Sequence, residues 1–164
     1  MTGKIAAHGN AQSLVDGDTP TLVAKRMPMF SDTVVSGEMN NALISAPSLP
    51  ATTLTVFCYT AMFAGCVGLT QVPSLPAMEL AEYCYASMFL NCVGLSSATS
   101  LLATELADYC YFGMFFDCTF DMSNDGTTFN FEFGATPPVT AGVETFATYY
   151  DIAEWMGNTN GFNM

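Results

Sequence analysis

Residues 49–120 repeat one 26-residue sequence three times, the third copy being shorter: LPATTLTVFCYTAMFAGCVGLTQVPS (49–74), LPAMELAEYCYASMFLNCVGLSSATS (75–100) and LLATELADYCYFGMFFDCTF (101–120). No insertion interrupts the register, because Cys58, Cys84 and Cys110 follow one another at the repeat period. A fixed period of this size is typical of solenoids, in which one unit cannot bury its apolar face alone and stacks on the next. The repeat therefore predicts a scaffold with a continuous core.

The first half of each copy has the apolar spacing of an amphipathic helix. With about 100° per residue from Leu54, a wide apolar arc contains Phe57, Cys58, Ala61 and Met62. The narrow strip on the opposite side carries the acidic residues of the later copies: Glu79, Glu82, Glu105 and Asp108. A helix that is apolar over so wide an arc has to be covered on more than one side, as stacked copies would do.

A helix stop and a short strand complete the predicted unit. Gly65 and its equivalents Asn91 and Asp117 are residue types that tolerate the left-handed conformation at a helix C-terminus. The stretch that follows predicts a short strand with an inward apolar set in each copy. That set is Leu43, Ala46, Leu49, Leu69, Val72, Leu75, Leu95, Ala98 and Leu101. We therefore predict a right-handed α/β solenoid, a short leucine-rich-repeat array of 26-residue strand–helix units.

The two ends depart from the repeat and predict a single domain, residues 1–164, with irregular caps. Residues 1–27 form the expected N-terminal cap or docking segment, and residues 28–118 the repeats with a degenerate first coil. Residues 119–164 form the expected C-terminal cap, in which 127–133 alternate like a strand and 143–156 predict a closing helix. With 51% hydrophobic residues, the chain has ample material for one core.

The charge distribution excludes several classes of partner. Lys4, Lys25 and Arg26 are the only basic residues, and the net charge is −12. A surface without cations cannot neutralise phosphates, so we expect no nucleic acid partner and no anionic membrane surface. The uncharged run 39–78 is broken by prolines into pieces shorter than the roughly 20 residues that a membrane span needs. The N-terminus also lacks the apolar region of a signal peptide.

The string LPATTL…CY..MF.GC..LT..P.LP resembles the BspA-like leucine-rich repeats, the Treponema-type class of bacterial surface proteins and of phage structural proteins. The resemblance covers residues 40–118, with Leu102 in place of a proline and Met78 in place of a threonine. It implies the leucine-rich-repeat fold and an interaction role on a virion or an extracellular surface. It implies no enzymatic activity.

The expected function is therefore a non-enzymatic structural or interaction module of a virion, on a phage capsid or tail surface. Its partner would be a protein in a larger assembly or further copies of itself. The alternative is an adhesin or a glycan- or protein-binding receptor module on a bacterial cell surface. We predict no catalytic, cofactor-binding or metal-binding residues, because His8 is the only histidine and no nucleophile motif precedes a turn and a helix.

Recognition is expected in the flanks, because the outward strand residues, such as Ser45 and Gln71, are small and uncharged. The N-terminal 30 residues bear all the cations and are expected to be ordered mainly by another chain. Deleting them is then expected to release the protein from its assembly without unfolding the repeats. The second expected recognition element is the aromatic C-terminal helix, with Phe146, Tyr149, Tyr150 and Trp155.

The six cysteines are expected to remain thiols in two ladders. A disulfide needs Cα atoms within roughly 7 Å, and stacked helices lie about 8–10 Å apart. Disulfides or a metal site are the alternatives.

The stretch DMSNDGTTFNFE (121–132) matches a calcium loop, with Asp121, Ser123, Asp125 and Glu132 as oxygen ligands. The flank after Glu132 alternates like a strand instead of starting a helix. A turn at Asn124–Gly126 is therefore the competing interpretation, and we predict no required metal.

Overall fold

A computed structural model describes residues 5–6, 30, 42–96, 99–119 and 133–157. These residues include the elements β1 (Ile5–Ala6), β2 (Leu43–Ser45), β3 (Val139–Ala141), β4 (Glu144–Phe146) and α1 (Tyr149–Trp155). Strand β1 pairs with β2 in parallel, and β3 pairs with β4 antiparallel. Between β2 and β3, the described chain consists of turns and extended stretches in which the three copies lie against one another.

The first half of each copy is a run of turns, so the predicted α-helix over residues 54–65 is wrong. These turn segments comprise residues 56–65, 82–91 and 108–117. Alternate N–H groups donate to the carbonyl three residues earlier, as from Thr60 to Phe57 (3.3 Å) and from Met62 to Tyr59 (3.2 Å). The N–H groups between them donate to the next copy, as from Tyr59 to Cys84 (2.9 Å). In an α-helix, each of these N–H groups would instead donate to the carbonyl four residues earlier in the same copy.

Left-handed backbone recurs at every fourth position of the turn segments. The residues with positive φ are Phe57, Ala61, Gly65, Tyr83, Ser87, Asn91, Tyr109, Gly113 and Asp117. Such angles do not occur inside a right-handed helix. Between them, buried residues come in adjacent pairs with a period of four, as in Cys58–Tyr59 and Met62–Phe63. This period is close enough to 3.6 that the apolar pattern alone also fits a helix.

Backbone hydrogen bonds join each turn segment to the next. Residues 57, 59, 61, 63 and 65 donate to the carbonyls of 82, 84, 86, 88 and 90, and the second copy repeats the same pattern onto the third. Outside the turn segments, isolated parallel bridges join Thr53 to Glu79 and Leu75 to Leu101. Local turns and bonds between copies together satisfy most of the backbone donors of the first two turn segments, as a buried backbone requires.

The short-strand prediction holds for β2 and less well further along the chain. The leucines of the predicted inward set are all buried. In the described part of the first and second copies, however, the equivalent stretches from Leu69 and Leu95 do not pair as strands, and Ser96 N–H donates to the Thr70 carbonyl (3.3 Å). The leucines thus point inward as predicted, although a strand ladder does not hold them.

The core consists of side-chain ladders that run through the copies. One is the phenylalanine ladder, in which Phe30, Phe63, Phe89 and Phe115 stack at centroid distances of 5.4, 5.5 and 5.6 Å. A second ladder stacks three buried tyrosines at 5.6 and 5.9 Å: Tyr59, Tyr85 and Tyr111. Because every copy supplies the same ring at the same place, the inner rings, Phe63, Phe89 and Tyr85, are each covered by equivalents on both sides.

All six cysteines lie within the described residues, and each is a buried thiol. The thiol of Cys92 donates to the Phe63 carbonyl of the preceding copy (3.0 Å), and that of Cys118 donates to the Phe89 carbonyl (3.2 Å). Burial raises the pKa of the Cys58, Cys110 and Cys118 thiols to about 12. Buried thiols of this kind are chemically inert. The prediction of thiols agrees with the structure, although its helical reasoning does not.

The C-terminal hairpin and helix lie on the third copy. Parallel bridges join Leu101 to Phe133 and Leu106 to Ala141. The N–H of Gly113 donates to the Trp155 carbonyl, and that of Phe115 donates to the Met156 carbonyl, both at 2.9 Å. The last carbonyls of a helix have no partner within it, so the end of α1 supplies the acceptors that a fourth copy would otherwise offer.

The closing helix predicted over residues 143–156 is confirmed only in its second half. Val143 lies in the loop between β3 and β4, and Phe146 ends β4 opposite Val139. The helix begins after Thr148, whose hydroxyl accepts a hydrogen bond from the Asp151 N–H (3.2 Å), while the Asp151 carboxylate accepts one from the Thr148 N–H (2.8 Å). This capping box fixes the start of α1.

The N-terminal segment contacts the repeats, which argues against a purely docking role for the first 30 residues. Strand β1 pairs with β2, and the Phe30 ring stacks on Phe63. Phe30 also donates its N–H to the Met62 carbonyl (3.2 Å) and accepts from the Cys66 thiol (3.2 Å), as Phe63 accepts from Cys92. Phe30 thus occupies the position that precedes Phe63 in the ladder.

Deleting residues 1–30 is therefore expected to destabilise the repeats, contrary to the expectation from sequence. The deletion uncovers the Phe63 ring and unpairs β2, so we expect the free energy of unfolding to fall by about 2–4 kcal/mol, near the lower range for losing a buried aromatic ring. Urea denaturation of the full chain and the deletion variant measures this change. Deleting residues 1–4 alone keeps β1 and Phe30 and serves as the control. Equal stability of all three proteins would instead support the expectation from sequence that the N-terminal 30 residues serve only for docking to another chain.

Candidate functional site

A row of stacked aromatic rings runs along the outside of the turn segments. Phe57 stacks on Tyr83 with ring centroids 4.9 Å apart, and Tyr83 stacks on Tyr109 at 4.7 Å. Phe112 meets Tyr109 edge to face at 5.9 Å. We call these four residues the outer aromatic row. Phe57 is 42% exposed and Phe112 48% exposed, so the row is accessible at both ends.

The backbone under this row is unfavourable for bulky side chains. Phe57, Tyr83 and Tyr109 have φ values of 62°, 55° and 52°. In an L-residue this left-handed conformation costs roughly 1–2 kcal/mol, and a bulky residue rarely adopts it. The other left-handed positions of the turn segments are mostly small or polar residues such as Ala61 and Asn91. Stacking of about 0.5–1.5 kcal/mol per aromatic pair offsets the cost.

Exposed carboxylates lie beside the outer aromatic row. Glu82 and Asp108 directly precede Tyr83 and Tyr109, and Glu79 and Glu105 form a second pair of equivalents. All four are exposed. The described residues include no Lys, Arg or His, so none of these carboxylates has a cationic partner among them. The surface around the row is therefore uniformly negative.

The electrostatics of Tyr83 show how closely these groups lie together. Partial desolvation, followed by repulsion from the ionised form of Tyr109 and from the carboxylates of Glu82 and Asp108, raises the pKa of Tyr83 above its ordinary value. Asp108 is in turn held against the hairpin loop, since a Cβ added at Gly142 would collide with its carboxylate. The outer aromatic row and its carboxylates thus form one surface that extends to the C-terminal cap.

Of the recognition residues predicted from sequence, the described part of the chain includes only the C-terminal aromatic set. Phe146 is buried and its ring lies 4.7 Å from that of Trp155, so this pair packs the cap instead of presenting a surface. Tyr149 and Tyr150 begin α1. The basic residues Lys4, Lys25 and Arg26, together with His8, lie outside the described residues, as does the calcium-like loop with Asp121, Ser123, Asp125 and Glu132.

Sequence reasoning missed the outer aromatic row because a helical projection puts Phe57 inside the apolar arc. The available signal was the aromatic residue that precedes the first cysteine in every copy: Phe57, Tyr83 and Tyr109. In a turn segment the two residues that flank a cysteine point to opposite sides. Tyr59 is therefore fully buried, whereas Phe57 is exposed.

Two further observations concern the described part of the chain. No group of three or more His, Cys, Asp or Glu side chains there could hold a metal ion. Nor is any helix within those residues long and apolar enough to cross a membrane.

Comparison of the whole chain with known proteins finds no matching family model, no matching curated protein and no matching solved structure. Function has to be argued from the surface itself.

Proposed function

We propose that this chain is a non-enzymatic structural and interaction module of a virion, displayed on a phage capsid or tail surface as a short leucine-rich-repeat solenoid. It binds a protein partner through the outer aromatic row. The observation that carries the proposal is the row itself, in which stacked rings continue through three copies on a costly backbone and end in the exposed rings of Phe57 and Phe112. Aromatic side chains supply much of the anchoring energy of protein interfaces.

The arrangement of the copies supports a scaffold role. Bonds between turn segments, the side-chain ladders and the helix-end cap hold the copies in one register. A surface mounted on such a frame keeps its shape when it binds, which lowers the entropic cost of association. The resemblance of the repeat sequence to those of phage structural proteins supports the location on a virion.

The carboxylates favour a binding surface over a catalytic one. Glu79, Glu82, Glu105 and Asp108 are all exposed to solvent. General acid–base catalysis needs groups whose pKa values are shifted from their ordinary values by burial or by close partners in a cleft. A row of solvated carboxylates of one sign instead produces a field that attracts cationic surfaces.

Purification of particles tests the proposed location. In particles from a culture that carries the gene, purified on a density gradient, we expect mass spectrometry to find this chain together with capsid or tail proteins. We expect its peptides to remain after a high-salt wash. Detection only in the envelope fraction of a bacterium would overturn the proposal in favour of the adhesin.

The second candidate is that adhesin, a glycan- or protein-binding receptor on a cell surface. Exposed aromatic rings beside carboxylates favour it, because carboxylate oxygens accept hydrogen bonds from sugar hydroxyls. However, both faces of the Tyr83 ring are covered, one by Phe57 and the other by Tyr109. Little ring face is left on which a sugar could stack, and a protein partner therefore fits the row better.

A further inference from the structure

We infer that the partner bound at the outer aromatic row is a basic segment of another protein, rich in arginine. This inference rests on the proposed function and specifies the chemistry of its partner. It follows from three features of the surface: the sign of its charge, the way the charges repeat, and the parts of the rings that remain accessible.

The charge of the surface calls for a cationic partner. No Lys, Arg or His follows Arg26, while all but two of the 15 acidic residues do. The repeats therefore cannot neutralise their own carboxylates. A nucleic acid or an anionic lipid surface would be repelled. A second copy would present the same negative face, so its repeats would be repelled as well.

The carboxylates repeat with the rings, which concentrates the negative charge. Successive rings of the row lie 4.7–4.9 Å apart, and Glu82 and Asp108 directly precede two of them. Glu82 and Asp108 belong to adjacent copies, and the negative charges of both act on the Tyr83 phenol between them, so the two carboxylates disfavour each other. A cation bound between Glu82 and Asp108 relieves that repulsion, which a neutral ligand cannot do.

The rings favour arginine as the source of that cation. A guanidinium group is planar, carries five N–H donors, and can bond a carboxylate in a bidentate manner while it lies against an aromatic ring. The exposed rings at the two ends of the row, Phe57 and Phe112, offer that contact, and the carboxylates stand beside Tyr83 and Tyr109. Lysine supplies the charge without the planar contact.

Peptide binding to the full chain tests the inference. The probe is a fluorescein-labelled peptide of four Arg-Ser pairs, measured by fluorescence anisotropy at 20 and 150 mM NaCl. A peptide of four Gln-Ser pairs is the neutral control, and one of four Lys-Ser pairs separates arginine from charge alone. We expect the arginine peptide to bind at least tenfold more tightly than the glutamine peptide and about threefold more tightly than the lysine peptide. No preference for the arginine peptide would overturn the inference.

Matched variants show whether binding is local. We expect Glu82→Gln with Asp108→Asn to weaken the arginine peptide about tenfold. Asp117→Asn with Glu154→Gln removes the same charge from two other exposed positions and should change the affinity less than twofold. Equal losses in both double variants would show non-specific attraction and overturn the inference.

Ring variants test the aromatic contribution. Phe57→Leu with Phe112→Leu should weaken the arginine peptide about fivefold, and Phe116→Leu, at an exposed ring outside the row, less than twofold. Circular dichroism checks that each variant folds. If the ring variant does not, the isosteric carboxylate variants decide the matter alone.

Two further outcomes separate this inference from its rivals. Retardation of the wild type, and not of the Phe57→Leu with Phe112→Leu variant, in a gel that contains a neutral polysaccharide, without binding of the arginine peptide, would overturn it in favour of a glycan receptor. Self-association that is lost in Lys25→Gln with Arg26→Gln would identify a second copy as the source of the basic segment and overturn the choice of another protein. Particle purification is independent, so association with virions without peptide binding overturns only this inference.

Discussion

Replacing Phe89 with alanine is expected to lower the free energy of unfolding by about 3–5 kcal/mol, as for other buried aromatic rings. Phe89 is fully buried and lies between Phe63 and Phe115 in the phenylalanine ladder. Bonds between turn segments hold the backbone on both sides of the ring, so the layers cannot close over the cavity. Domains are typically stable by only about 5–15 kcal/mol, and this single change is a large part of that margin.

The matched control is Phe116→Ala, which removes the same side chain from a turn segment of the third copy. Phe116 is 50% exposed, and we expect a loss below about 1 kcal/mol, as for other surface sites. Urea denaturation followed by circular dichroism measures both variants. Similar losses for the two phenylalanines would mean that the ladder does not hold the copies together.

Raising the pH above about 9 is expected to unfold the protein, and this is the second large effect. The ordinary pKa of a cysteine thiol is 9.0, whereas burial raises the pKa of Cys58, Cys110 and Cys118 to about 12. Between these pH values the unfolded chain has lost protons that the folded chain keeps, so stability falls as the pH rises. Below pH 9 both states are protonated and these thiols cause no pH dependence.

The expected slope is about 1.4 kcal/mol per pH unit for each thiol, or about 4 kcal/mol per unit for the three together. Burial raises the pKa of Cys84 and of the tyrosines Tyr85 and Tyr111 as well, which adds to the effect in the same direction. We therefore expect most of a typical domain's stability to be lost before pH 11.

Urea denaturation at pH 7, 8, 9, 10 and 10.5, with a reducing agent present, measures this slope. Cys110→Ala removes one of the titrating thiols and should reduce the slope above pH 9 by about 1.4 kcal/mol per pH unit, whatever its effect at neutral pH. A free energy of unfolding that stays constant up to pH 10.5 would contradict the burial of the thiols.

The period, the inward residues and the order of the segments were predictable from sequence. Cys58 and Met62 recur at fixed positions and are buried in every copy, because a repeated apolar position faces the same neighbours each time. The C-terminal segment was predicted as a cap, and bridges from Leu101 to Phe133 and from Leu106 to Ala141 join it to the third copy. These features depend on which residues are apolar and hardly at all on the local backbone.

The local backbone was not predictable from the same pattern, because four-residue turns and an α-helix place apolar residues almost alike. The two structures differ in the carbonyls to which the N–H groups donate. Donation to the next copy does not change the spacing of the apolar residues, so that spacing cannot reveal it. Gly65, Asn91 and Asp117 were interpreted as one helix stop per copy. A further left-handed residue lies four positions before each of them, as Gly113 does before Asp117. The three residues therefore belong to a series of left-handed positions with a period of four.

The candidate surface was missed for the same reason. A helical projection assigns Phe57 to the core and leaves only the acidic strip on the surface. It therefore does not predict rings beside the carboxylates. Phe146 was likewise predicted as a recognition residue, but it ends β4 and its buried ring packs at a tilt against Trp155. Whether an aromatic residue anchors a partner or fills a cap depends on tertiary pairing, which composition does not encode.

Hydrogen bonds between turn segments all run in one direction, from an N–H of one copy to a carbonyl of the next, and the last donors meet the end of α1. An in-frame duplication of the 78 nucleotides that encode one 26-residue copy would therefore place the N–H donors of one copy opposite the carbonyl acceptors of the next at each new junction. A deletion of one whole copy would do the same. The gene can lengthen or shorten the array by such events without a compensating change at either end, whereas an insertion within the repeats that is not a whole number of copies would interrupt the ladders.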